Sequence, residues 1–293
     1  MITYNSKEWV SFIFFFHKSD TIRKLLPLII AISFFTWGIA YVELDYLQLP
    51  ETSAISNLNL MHTLLTFVIS MLLVFRTNTA YERWWEGRKL WGSLVNNSRN
   101  LAIKLNAMLA AGDQVNRSFY RKSIPLYASV LGQHLHSEVT RLALDEAEHP
   151  ELAAINRNRH APNQVASLIF NRTHSLYRDG QIKGDQLIIL NTELQSFAEI
   201  CGACERIKNT PIPISYSAFI KKFIFIFVVT LPFSLVFSLG YYAIPVVAFI
   251  FYVLTSIELI AEEIEDPFGS DANDLPTPKM AANIKKHIAE ILQ

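Results

Sequence analysis

Carboxylates crowd the end of the 293-residue chain in a pattern suited to hard cations. Glu258, Glu262, Glu263, Glu265 and Asp266 run into Pro267-Phe268-Gly269-Ser270-Asp271-Ala272-Asn273-Asp274. Acidic side chains on a short turn are oxygen ligands of the kind Ca²⁺ takes, and Asp266, Asp271 and Asp274 are the candidates. Spacing alone favours a plainer role for this run, in ion pairs with the basic middle of the chain or as helix caps. Cys201-Gly202-Ala203-Cys204 has the spacing of half a zinc site, but structural zinc takes four ligands and no second pair matches it. Both cysteines also fall on an apolar helical stripe, where Cys packs as a small hydrophobe. The histidines, His134 and His136 among them, show no ligand spacing. No metal site, no catalytic residue and no enzymatic activity are therefore expected.

A different kind of chemistry is suggested by Phe67, Met71 and Phe75. At i, i+4 and i+8 these side chains drift by only about 80° around a helix and lie in layers about 6 Å apart. Repeated around a ring of subunits, they would form apolar collars, and a narrow apolar neck gates ions by dewetting. Spacing alone favours ordinary packing against lipid or a neighbouring helix, while Thr63, Thr66 and Ser70 beside the stripe point to a wet face. Carriers and pumps need ionisable groups at membrane depth. Here only His62 and Glu258 come near that depth, Tyr aside, which favours a passive pore or a structural anchor.

The elements that would hold this stripe follow from the distribution of charge. The chain is 51% hydrophobic, with Lys+Arg and Asp+Glu balanced at 26 each, so the total suggests no nucleic-acid partner. There is no Lys or Arg between Lys24 and Arg76, and none between Lys222 and Lys279. Cytoplasmic loops keep basic residues and membrane spans lose them, so the two gaps predict two membrane hairpins with both termini and the middle of the chain in the cytoplasm. Four runs approach the roughly 20 apolar residues a span requires: 25–42, 58–75, 223–239 and 241–260. Pro232 predicts a kink in the third, and Gly240-Tyr241-Tyr242 the outer turn. Glu43, Asp45 and Glu51 make the first outer loop acidic. The resulting organisation is a cytosolic segment 1–24, a hairpin 25–75, a helical cytosolic domain 76–222, a hairpin 223–262 and a cytosolic segment 263–293. Within the middle domain the second span continues as a long helix to about residue 108, a helix from about Gln114 contains Pro125, and 144–163 is polar and reads as loop. Leu187, Leu190, Leu194, Phe197, Cys201 and Cys204 form one stripe of a packed helix. No cleavable signal peptide is evident, and two cysteines three positions apart give no disulfide framework.

Several motifs resemble the bestrophin family in its bacterial branch. They are Phe75-Arg76-Thr77-Asn78, the stretch Arg83-Trp84-Trp85-Glu86-Gly87-Arg88-Lys89-Leu90-Trp91-Gly92, Cys204-Glu205-Arg206 with Thr210-Pro211-Ile212-Pro213, and Glu265-Asp266-Pro267-Phe268-Gly269 with Asn273-Asp274-Leu275-Pro276. The resemblance implies an all-α membrane protein, a homopentameric ion channel with four transmembrane helices and a helical cytosolic domain. It also implies a neck at Phe67, Met71 and Phe75. The family's cytosolic constriction, often apolar, falls on Asp185 here. This residue either places five carboxylates at the exit or serves as N-cap of the Leu187 helix. The acidic clasp of animal members is thinned to Ser270, Asp271, Ala272, Asn273 and Asp274, which argues against activation by Ca²⁺.

The expectation is a channel of the bacterial inner membrane, associated with lipid and passing Na⁺ or K⁺ passively. The resemblance implies cations, because bacterial members prefer them, and an acidic outer mouth would concentrate them. An anion channel of the same architecture, or a non-conducting scaffold whose cytosolic domain binds a partner, is the alternative.

Overall fold

The computed structural model describes residues 21–48, 58–136 and 159–293, and the regular elements among them are all helical. Helix α1 spans Thr21–Ala40 and continues as a π-helical turn, Tyr41–Tyr46. Helices α2 (Leu58–Met108), α3 (Gln114–His136), α4 (Ala161–Arg178) and α5 (Gly184–Asn209) follow. Helix α6 (Ile214–Leu239) is joined by a 3₁₀ turn, Gly240–Tyr242, to α7 (Ala243–Glu265), and α8 is Thr277–Ile291. Among the described residues, the stretches Thr21–Tyr46, Leu58–Met108 and Ile214–Glu265 are long and apolar enough to cross a membrane. The last of these contains both α6 and α7.

Helix α2 organises the molecule. Its 51 residues contain no proline, and at 1.5 Å per residue it is about 76 Å long. Buried positions recur along it at steps of three and four, through Ile69, Leu73, Arg76, Ala80, Gly87, Trp91, Leu94, Ser98, Leu101 and Leu105. Such a stripe lets one helix serve two cores in succession. Ile69 and Leu73 pack with Ile220, Ile224, Phe227 and Leu231 of α6 and Val247 and Phe251 of α7. From Trp91 onward the same stripe enters a second core with α3, α4, α5 and α8. The helix stops at Met108, where the Arg117 guanidinium donates to the carbonyls of Asn106, Leu109 and Ala110 at 3.3 Å each. These are the carbonyls a helix end leaves without partners.

Prolines follow two different rules. Helices α3 and α6 run through Pro125 and Pro232 as continuous elements. Pro162 lies in the first turn of α4, so the part of the expected 144–163 loop from residue 161 onward is helix, and 144–158 lies outside the described residues. A first-turn proline has no hydrogen bond to lose, and His160 caps the helix by accepting the Asn163 N–H at 3.2 Å. Helix α5 likewise begins two residues earlier than an Asp185 cap would require. Lys183 is its N-cap, with the Lys183 N–H donated to Gln186 Oε1 at 2.8 Å. Asp185 sits in the first turn, where a carboxylate interacts favourably with the helix dipole.

The turn after α7 docks on α2 at Gly87. A Cβ there would lie 3.1 Å from Pro267 Cγ, 3.2 Å from Phe268 Cζ and 3.3 Å from Leu275 Cδ1. Any larger side chain must displace the turn, and overpacking of this kind costs about 1–3 kcal/mol. Gly87→Val is therefore expected to lower the thermal midpoint of the purified protein in detergent, whereas Gly38→Val, with nothing within 4 Å of its Cβ position, leaves it within error.

A candidate pore lining and its anchors

The face of α2 opposite its buried stripe is exposed along its whole length. Phe67, Met71 and Phe75 are 71%, 50% and 53% exposed. Asn78, Glu82, Lys89, Ser93, Asn96 and Asn100 are exposed as well, and at 100° per residue each lies within about 40° of Met71. The stripe is apolar through Phe75 and mostly polar from Asn78 on, with Trp85 and Ile103 as exposed apolar exceptions in the same sector. Above it, the hydroxyls of Thr63, Thr66 and Ser70 donate to carbonyls four residues back, at 2.7–2.9 Å.

Where the stripe changes character, the buried face carries a charge. Arg76 is 1% exposed, and its guanidinium meets two carboxylates of α7, Glu265 at 2.8 Å and Glu258 at 3.4 Å. Two turns on, Arg83 donates to the carbonyls of Ile207 at 2.6 Å and Thr210 at 2.5 Å, and to that of Glu265 at 3.0 Å. It thus ties the C-terminal ends of α5 and α7 to α2, with a cation at the negative end of each helix dipole. The rest of the acidic run is paired too. Glu263 accepts Lys24 at 2.6 Å, Glu262 accepts Lys221 at 2.9 Å, and Glu265 also takes the Ile212 N–H at 2.7 Å. Ion pairing, the plainer role read from spacing, thus accounts for most of these carboxylates.

Asp266, Asp271 and Asp274 lie in and around the turn that follows. Asp266 accepts the Phe268 N–H at 3.2 Å and Asp274 the Asp271 N–H at 2.5 Å. Trp84 Nε1 holds the turn through the Asn273 carbonyl at 3.0 Å. Asp274 is buried, its Oδ1 has no hydrogen-bond partner, and burial pushes its pKa up to about 6. Ca²⁺ takes six to eight oxygens. These side chains do not fit such a cage: one oxygen each of Asp266 and Asp274 already caps the turn, and the three carboxylates do not converge as a metal-holding group among the described residues.

The remaining candidate residues are separated. Asp185 is exposed on the first turn of α5. This helix packs along the later part of α2, where Lys104 bonds Glu193 at 2.7 Å and the Ile189 carbonyl at 3.3 Å. The acidic outer loop is altered: Glu43 is buried in the π-helical turn, Asp45 accepts the Tyr241 hydroxyl, and Glu51 lies outside the described residues. The turn stays helical instead of opening into a loop, and so folds Glu43 inward. Cys201 and Cys204 are buried, and burial raises both thiols, Cys201 to about 12, so neither supplies a thiolate. Sequence reasoning missed the polar continuation of the α2 stripe, although its 3–4 spacing from Met71 was legible. It also missed a convergence of His134, His160 and Glu205, for which no local signal exists.

A family model described as Bacterial/Fungal Bestrophin protein matches residues 1–290. The chain belongs to the bestrophin family. Its relatives include a voltage-dependent anion channel-forming protein of Nostoc sp., 32% identical over 99% of this chain and 94% of the relative. Another is the voltage-dependent anion channel-forming protein YneE of Escherichia coli K12, 29% identical over 94% of this chain and 89% of the relative. A crystal structure of a point variant of the bestrophin homologue from Klebsiella pneumoniae superposes with a TM-score of 0.78, at 26% identity, over 91% of this chain and 98% of that one. This bestrophin is thus an all-helical membrane protein, and its family and relatives point to an ion channel rather than an enzyme.

Two outcomes follow for the anchors. Arg76→Met strands two carboxylates in a buried site, and breaking such a pair costs about 3–5 kcal/mol; the variant is expected to lose folded yield and thermal stability, read by size-exclusion chromatography and thermal unfolding. Asp274 has a folded pKa of about 6, above the roughly 3.9 of an unfolded Asp. The folded state therefore binds the proton more tightly, and stability falls as pH rises between those values. Asp274→Asn, which keeps an acceptor for the Asp271 N–H, is expected to flatten that part of a melting-temperature profile measured from pH 4 to 7.

Proposed function

We propose that this bestrophin assembles as a homopentamer around a central pore and passes monovalent ions passively, with Phe67, Met71 and Phe75 as its neck and Asp185 at its cytosolic exit. The observation that carries the reading is the exposed stripe of α2, apolar through Phe75 and polar from Asn78 to Asn100 except at Trp85. A helix face against lipid has no use for Asn78, Glu82, Lys89 and Asn96, whereas a water-filled vestibule below a neck does. Within the neck an ion would shed water without receiving polar ligands in return, so wetting of the collars sets the conductance. The lipid-crossing hairpins are then 25–75 and 223–262, in an inner membrane. Residues 76–222 with both termini lie on the cytoplasmic side, where their basic residues belong.

Cations are the favoured charge. Glu82 and Lys89 oppose each other along the vestibule, and Asp185 is exposed with no ion pair among the described residues. Five copies at a narrow exit would concentrate cations and repel anions. The burial of Glu43 removes one carboxylate from the outer mouth, so the sign of the charge rests on Asp185. An anion-conducting channel is the second reading, favoured by the names of the Nostoc and Escherichia coli relatives.

Purified protein in a planar bilayer is expected to give single-channel currents; silence beside a conducting control pore would instead leave a membrane scaffold. In a NaCl gradient the reversal potential is expected to have the sign of Na⁺ selectivity, and Asp185→Asn to move it toward zero. The opposite sign in the parent protein establishes the anion reading. Phe67→Ala, Met71→Ala and Phe75→Ala combined are expected to raise conductance severalfold, and unchanged current would place the stripe away from the pore.

A further inference from the structure

Outside the pore stripe, three side chains from three separate helices converge on one point. His134 lies in the last turn of α3, His160 is the residue that caps α4, and Glu205 is on α5. Glu205 Oε1 lies 2.6 Å from His134 Nε2 and 2.5 Å from His160 Nε2, and the two imidazole centroids are 4.6 Å apart. Among the described residues this is the one group of three His, Cys, Asp or Glu side chains whose donor atoms all lie within 4.8 Å of one another. Each is partly exposed, at 22%, 31% and 27% of the side chain, so an ion can reach the site from solvent.

We propose that His134, His160 and Glu205 form a divalent transition-metal site matched to Zn²⁺. Two imidazole nitrogens and one carboxylate oxygen make a three-ligand set that leaves a fourth, tetrahedral position for water. Ligand bonds of about 2.0–2.1 Å place tetrahedral donor atoms about 3.3 Å apart. The two N–O separations must therefore widen by less than an ångström, within the reach of small side-chain rotations. The carboxylate is ready as an anion: burial alone would raise its pKa, but the hydrogen bonds from His160 and His134 outweigh that and hold it below the ordinary Glu value. Two imidazole nitrogens directed at a single carboxylate oxygen frame the position a dication would take, each ring keeping its one proton by carrying it on the nitrogen turned away from the metal.

The site is coupled to the start of α4. In the metal-free arrangement His160 Nδ1 accepts the Asn163 N–H at 3.2 Å, so its proton sits on Nε2 and points at Glu205. Coordination through Nε2 moves that proton to Nδ1 and gives up this cap. Zn²⁺ uptake would thus exchange a helix cap for a bond that joins α3, α4 and α5.

The test uses the full-length protein in detergent, stripped with EDTA, dialysed and titrated with Zn²⁺ alone in a calorimeter, with bound metal counted per chain after gel filtration. One Zn²⁺ per chain is expected, with a higher thermal midpoint. His160→Asn keeps an N-cap acceptor for α4 while removing the metal-binding nitrogen, and His134→Gln keeps a polar group beside Glu205. Each is expected to weaken Zn²⁺ binding at least tenfold and to abolish the thermal shift, while remaining monodisperse in EDTA. Absence of Zn²⁺ binding by the parent protein, or parent-like binding by both histidine variants, overturns the proposal. None of these readouts involves ion conduction, so the site stands or falls separately from the pore.

Discussion

A guanidinium buried at the end of the apolar third of α2 dictates how the helices around it assemble. Taking Arg76 out of water is costly unless carboxylates meet it, and the two that do, Glu258 and Glu265, come from α7. The pairing sets the height of α7 against α2. This in turn fixes where the chain leaves α7 and where the Pro267-Phe268 turn lands, at the one position on that face, Gly87, that lacks a Cβ. Arg83 extends the joint by collecting the last carbonyls of α5 and α7. The apolar core of α2, α6 and α7 and the larger core of α3, α5 and α8 are thereby locked to a common helix. Neither core alone specifies the position of the other.

That joint also lies behind the point where the exposed face of α2 changes from Phe and Met to Asn, Glu, Lys and Ser. One helix with a single buried stripe presents an apolar and a mostly polar stretch in line on its other face, because its period is the same in both halves. Phe67, Met71 and Phe75 are too exposed for a monomer in water: large apolar patches mark surfaces meant for lipid or for other subunits. For the bestrophin fold, shared with the Klebsiella pneumoniae homologue at a TM-score of 0.78, the pore reading gives that face a use that follows from its chemistry.

Much of the architecture was legible in the chain. Runs free of Lys and Arg marked the apolar helices, because a charge in hydrocarbon costs more than any local preference returns. The 3–4 spacing of Leu190, Leu194, Phe197, Cys201 and Cys204 marked the buried side of α5, and Phe67, Met71 and Phe75 could be picked out as one face. Local signals misled where two conformations share a composition. Pro162 in a polar stretch looked like loop, yet the first turn of a helix accepts proline once His160 caps it. Asp185 had the chemistry of an N-cap, but Lys183 takes that position two residues earlier, its N–H held by the Gln186 side chain. Glu43 looked like part of an acidic mouth until a π-helical turn buried it.

Periodicity and charge gaps are properties of neighbouring residues, and for that reason the sequence by itself determined the all-helical membrane class, the family resemblance and the candidate collar. Convergence across long separations is not a local property. Arg76 meets Glu258 from 182 residues away, and Glu205 gathers His134 from 71 and His160 from 45. Such contacts depend on the relative height and rotation of packed helices, which close-packing of side chains sets only once the chain is folded. The tertiary structure alone decided which bases the acidic run would meet, Arg76, Lys24 and Lys221, and that two unremarkable histidines would face one carboxylate.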